Sequence, residues 1–219
     1  MKRIYLTIII ITVLLCNGCA YLDKDSIIQL VHDNIDLLNQ AVIEIYALDE
    51  EVSYIAHSKH GRLGRPDFFH EGVYTVGTYS GIYNWERITK PLDNPILEEL
   101  LKDGNITSIS TRRLDREDIR RWSTGGEIYL IRFSCRSRGI RYIYEGFYYS
   151  SNNVPAFVNG GDLGGIIWEN PIPYKNGWFE LGEISYYYSE RITDYWFYYK
   201  LVFHMGGSSG RVPDDLPLE

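Results

Sequence analysis

The chain is short of the residues that make stability or chemistry easy to assign. It holds three cysteines and two methionines in 219 residues. Cys16 and Cys19 lie within the first twenty positions, which leaves Cys135 alone in the body. A body with one thiol has no internal disulfide, and a zinc site built on cysteine pairs lacks its second pair. A Cys-x-x-Cys redox site belongs beside a βαβ pattern, and the stretch around Cys16 is instead the end of an apolar run. No P-loop, dinucleotide fingerprint or H-E-x-x-H string occurs. Basic charge is scarce: 22 Lys and Arg face 29 Asp and Glu, for a formal net charge of −7. That balance argues against nucleic acid as a partner, because phosphate backbones reward basic patches. It also argues against holding to anionic headgroups by charge.

Long apolar runs are missing as well, with one exception at the start. After Met1-Lys2-Arg3, positions 4–15 are apolar apart from Thr7 and Thr12. A run of about a dozen matches a signal-peptide core, whereas a spanning helix needs roughly 20 residues. Asn17 and Gly18 end it, and Asp23, Lys24 and Asp25 come after. The string Leu14-Leu15-Cys16-Asn17-Gly18-Cys19 resembles the lipobox of bacterial lipoproteins. The resemblance implies cleavage after Gly18 and a diacylglyceryl group on the Cys19 thiol. Cys16 departs from the pattern, standing three before the cut where leucine is usual. Two acyl chains hold a protein stably where one is marginal, and a diacylglyceryl cysteine supplies both. An uncleaved anchor and plain secretion are the competing readings of the leader. Losing Lys2 and Arg3 with it takes the formal charge from −7 to −9. The resemblance implies a lipid-anchored, extracytoplasmic place at the cell membrane or the outer membrane. Ala20 is not the aspartate that retains some such proteins at an inner membrane.

Periodicity then sets the expected elements. Ile27, Val31, Ile35, Leu38, Val42 and Ile45 recur at steps of four and three, one stripe of a helix over 26–49. Ser26 with Gln29 matches a capping box. Region 51–80 resists assignment, with a loop at 62–66 and a strand within 72–83 interrupted by Gly77. Asn94-Pro95 opens a second helix and Gly104 closes it. A strand is expected at 106–110 and a short helix at 115–122. The period then becomes two. Positions 127–136 place Tyr129, Ile131, Phe133 and Cys135 on one face. Ser137-Arg138-Gly139 leads into a strand at 140–149, and Asn176-Gly177 is the strongest hairpin signal. Strands at 183–189 and 195–203 form another pair, joined near Ile192. The expected fold is α+β: a long N-terminal helix and a shorter helix packed on an antiparallel β-meander of about five or six strands. That layout is similar to cystatin-like and NTF2-like domains, and layout does not fix function. The expected organisation is a leader at 1–18, a lipidated tether at 19–25, one domain at 26–205 and a flexible tail at 206–219.

Three constellations invite chemistry. His57, His60 and His70 with nearby acids have zinc-ligand chemistry, but exposed loop histidines account for them better. Arg112, Arg113, Arg116, Arg120 and Arg121 are interleaved with Asp115, Glu117 and Asp118, the pattern of a salt-bridged surface. The 19 tyrosines crowd into the second half of the chain. Consecutive rings alternate across a strand, so some must face away from the helices. An exposed set could stack on sugar rings or bury a peptide. Tyr144, Tyr148, Tyr187, Trp196 and Tyr198 are the candidate ligand-binding residues. No catalytic residue and no cofactor is assigned. The expectation is a lipid-anchored binding or structural module whose partners are the membrane and an envelope protein or glycan. An envelope hydrolase acting on glycan or peptide is the alternative.

Overall fold

The computed structural model describes residues 22–48, 54–57, 72–79, 85–113, 129–135, 143–155, 172–174, 176–181 and 185–203. The expected leader at 1–18, the expected lipidation site Cys19, the helix expected at 115–122, the loop expected at 137–139 and the tail expected at 206–219 lie outside these residues.

Helices come first in the chain. α1 spans Lys24–Asp33 and α2 spans Ile35–Ala47. The single helix expected over 26–49 is therefore two. Asn34 divides them, with φ −120° and ψ 19°, and its side-chain amide donates to the Leu30 carbonyl at 2.9 Å. An Asn side chain that competes for a helix carbonyl offers the backbone a way out of the ladder. The helix also starts earlier than expected. Asp23 is the cap, accepting from the Ser26 amide at 2.8 Å, while Gln29 donates to Asp33 instead of closing a box with Ser26. The apolar stripe is as expected: Ile27, Val31, Leu38, Val42 and Ile45 are buried, and Ile35 packs beside them. α3, Pro95–Leu101, matches its sequence signals closely. Asn94 accepts from the amides of Ile96 at 3.1 Å and Leu97 at 3.0 Å, and Gly104 takes φ 72° just past the end.

The strands are β1 Tyr54–His57, β2 Val73–Tyr79, β3 Trp85–Pro91, β4 Ile106–Arg113, β5 Tyr129–Cys135, β6 Ile143–Ser150, β7 Ile172–Tyr174, β8 Gly177–Leu181, β9 Ser185–Thr193 and β10 Trp196–Phe203. All ten belong to one sheet in the order β3-β2-β1-β4-β5-β6-β10-β9-β8-β7, and every neighbouring pair is antiparallel. The α+β class and the antiparallel pairing are as expected, but the sheet has more strands than the five or six read from alternation. β1 and β3 are the unforeseen ones. Each is short or ends in proline, so neither carries a clean period-two run. β7 and β8 meet through Tyr174 and Gly177, the hairpin that Asn176-Gly177 announced. The last hairpin turns at Asp194-Tyr195, not near Ile192. There Trp196 pairs Thr193 but Phe197 pairs Arg191, so one extra residue is accommodated.

Two layers flank the central strands. On one face, Ile131, Phe133, Cys135, Phe147, Trp196 and Tyr198 join the helix residues in the main core. Phe133 stacks on Phe147 at 4.9 Å, and the Trp196 indole donates to Asn39 of α2 at 3.1 Å. On the opposite face Leu130, Tyr148, Tyr187, Phe197, Tyr199 and Leu201 are buried too. Tyr148 stacks on Phe197 at 5.2 Å, and Tyr187 on Tyr199 at 6.4 Å. Gly146 lies in the middle, paired with Tyr199 on one side and Ser134 on the other.

Candidate functional site

The consecutive aromatics of β10 do alternate, and alternation carries all but one of the candidate rings inward. Trp196 and Tyr198 are buried on the helix side, while Tyr148 and Tyr187 are buried on the other. The Tyr148 hydroxyl and Ser189 Oγ are 2.7 Å apart, and Ser189 Oγ donates to the Tyr198 carbonyl at 3.1 Å. These four rings are core, held on two faces of one sheet, and share no surface. Tyr144, 39% exposed, is the only one of the five that opens outward. His57 is buried in β1, and His60 and His70 lie outside the described residues. Among the described residues no group of three or more His, Cys, Asp or Glu is placed to hold a metal ion.

Among the described residues two more exposed tyrosines stand outside the candidate set: Tyr46 on α2, and Tyr195 where β9 turns into β10, beside the loop that leaves β6. Tyr195 is in the left-handed region at φ 68°, a place that Gly or Asn usually fills. For a non-glycine residue such a conformation costs on the order of 1–2 kcal/mol. Neighbouring groups hold it. The Tyr195 amide donates to Asn153 Oδ1 at 2.7 Å, and its carbonyl accepts from the Ser150 amide at 2.8 Å. Asn153 is itself left-handed, at φ 57°, and accepts from Arg191 through both its side chain and its carbonyl. Arg191 lies over the Phe197 ring at 4.7 Å and 3.8 Å from the Asp194 carboxylate.

The ring of Tyr195 is backed by Tyr149 at 6.0 Å, and Tyr149 meets Trp196 edge-on at 5.4 Å. Burial, with Tyr195 adding to it, pushes the Tyr149 phenol above its ordinary value, so it stays protonated near neutral pH. Tyr195 remains 44% exposed, and Val154, next to Asn153 in the chain, 51%. Asn152, on the other side of Asn153, accepts from Ser150 and Val154 through its Oδ1, and Asp194, one residue before Tyr195, has a side chain 80% exposed. The Tyr195 backbone is thus fixed, and an amide and a carboxylate side chain belong to the two chain segments that fix it.

A second polar group lies on the helix side of the sheet. Lys24 of α1 pairs with Glu190, which also accepts from the Tyr188 hydroxyl. The ammonium lies 5.7 Å from the Tyr188 ring centre and 6.0 Å from that of Tyr198. Across β10, Lys200 is 3.2 Å from Glu145, and the Tyr198 hydroxyl donates to the same oxygen at 3.4 Å. Both carboxylates already hold a cation, so charge is balanced within the group. Cys135 is buried and unpaired, and burial pushes its thiol far above the ordinary value, with Glu145 adding to the shift. A thiol held that way is protonated at neutral pH and a poor nucleophile.

Gly206-Gly207-Ser208-Ser209-Gly210 spells G-x-S-x-G, the letters of a nucleophile elbow, and lies outside the described residues. An elbow joins a strand to a helix, and Pro213 and Pro217 break any helical pattern after Gly210. None of the described helices is long and apolar enough to cross a membrane. No protein-family model, no curated protein and no solved structure matches this chain.

Proposed function

We propose that this is a lipid-anchored protein of the bacterial envelope, moored outside the cytoplasm by acyl chains on Cys19, whose body binds or supports an envelope component. The observation that carries the reading is the string Leu14-Leu15-Cys16-Asn17-Gly18-Cys19 placed directly before the folded body. Leu22 packs against the core, and Asp23 caps α1. Only Ala20 and Tyr21 separate Cys19 from Leu22. Consecutive Cα atoms are about 3.8 Å apart, so that link reaches about 11 Å at most. A body tied so closely rides on the bilayer surface. Its acidic balance leaves the holding to the lipid.

Metabolic labelling with a fatty-acid analogue tests this. The wild type and Cys16→Ala should label, and Cys19→Ala should not. Label that persists without Cys19 overturns the assignment. The hydrolase alternative draws on one observation: Glu145 and Glu190 share the helix side of the sheet, on strands either side of β10. It requires one of them to exchange its lysine for substrate. Turnover of a glycan or peptide by the purified protein, abolished in Glu145→Gln or Glu190→Gln, would favour it over a binding role.

A further inference from the structure

We propose that the β9–β10 tip is a saccharide-binding platform, with the Tyr195 ring as its floor and Asn152 and Asp194 as its polar rim. Core packing does not account for this tyrosine. It sits at φ 68°, where glycine is at ease, and yet keeps 44% of its surface open. An exposed side chain in a costly backbone position, fixed from both sides by Asn153 and Ser150, is preorganised for an outside contact. The chain of support runs inward without a break. Tyr149 backs the ring, Trp196 meets Tyr149, and Asn39 of α2 accepts from the Trp196 indole.

The chemistry beside the ring narrows the occupant. A pyranose presents a face of C–H bonds that packs on the electron-rich face of an aromatic ring. Its equatorial hydroxyls then point sideways, where they need both donors and acceptors. Asn152 offers a side-chain amide whose Nδ2 has no partner among the described residues. Asp194 offers a carboxylate touched, among the described residues, only by Arg191, at 3.8 Å. A protein partner is a poorer fit, since a stable interface takes about 800 Å² from each side and, among the described residues, this tip offers one exposed ring and Val154. A bilayer is a poorer fit as well, because insertion would carry the open Asp194 carboxylate and a chain of net charge −7 toward anionic headgroups. The platform deepens the binding role proposed above and makes no use of the lipid.

The test uses the full chain purified in detergent, with chitotetraose and cellotetraose as probes. Saturation transfer from the protein should reach the pyranose C–H protons of at least one of them. Tyr195→Gly should weaken binding by about tenfold, the size of one aromatic contact, while its thermal midpoint stays level or rises. Tyr195→Phe should keep the binding. Three results overturn the proposal: no transfer to either saccharide, undiminished binding in Tyr195→Gly, or a fall in that variant's thermal midpoint, which would make the ring structural. Loss of binding leaves the Cys19 assignment standing, and loss of Cys19 labelling leaves the tip standing, so the two failures are told apart.

Discussion

A methyl group on Gly146 would lie 2.1 Å from the Phe133 carbonyl oxygen and 3.0 Å from the Tyr199 ring. Glycine is required there because backbone, rather than a flexible side chain, occupies the space. Gly146→Ala should therefore destabilise the protein by about 1–3 kcal/mol, read from the midpoint of urea unfolding, since the strands must part to admit it. A change below a few tenths would mean β5 and β6 yield more easily than their pairing suggests. Part of this residue-level detail is legible in the sequence. The alternation of Ile131, Phe133 and Cys135 marks the inward face of β5, and their burial agrees. The candidate rings are not legible in the same way. Tyr148 and Tyr195 are the same residue type in similarly aromatic surroundings, and one is wholly buried while the other is open. Aromatic character alone does not distinguish them, and only Asp194 before Tyr195 hints at a turn. What differs is the neighbour across the strand: Phe197 covers Tyr148, while Tyr195 stands in a turn with Tyr149 on one side only.

Elements are legible where their ends carry side-chain chemistry. Asn94, buried and bonded to two amides at the start of α3, also donates to Glu44 of α2 at 2.9 Å. Asn94→Ala removes the cap and that link together, so a loss of about 1–2 kcal/mol is expected. Thermal unfolding should record it, and Asn94→Asp should recover most of the cap but not the donor to Glu44. Caps of this kind act over three residues, and so they show in the sequence. The break at Asn34 uses the same chemistry in the reverse sense, inside an apolar stripe that continues on both sides of it. Periodicity reports which face is buried and runs smoothly across 26–45, while the side-chain amide decides where the ladder stops. The β9–β10 turn lies away from its expected place for a related reason. Its left-handed position holds tyrosine, so the usual Asn-Gly signal is missing there, though it is present at Asn176-Gly177.

At the scale of the whole molecule, protection should track the two-layered centre of the sheet. β10 lies between β6 and β9 and has buried side chains on both faces, whereas β7 is a three-residue edge strand. Hydrogen exchange should be slowest at the amides of Phe197 to Leu201 and fastest, among the described strands, in β7 and β3. Equal protection across the sheet would argue that it opens only as a whole. The sequence alone determined the acidic balance, the helix stripe, the caps of α3 and the alternation of β5. Apart from the charge balance, each of these rests on neighbours a few residues apart. The tertiary structure decided the order of the ten described strands, the second buried aromatic layer and which tyrosines are left outside. Those depend on partners such as Asn39 and Trp196, 157 positions apart, and Lys24 and Glu190, 166 apart. Such contacts form only once the chain has closed long loops, and no local pattern encodes which distant strand will cover a given ring.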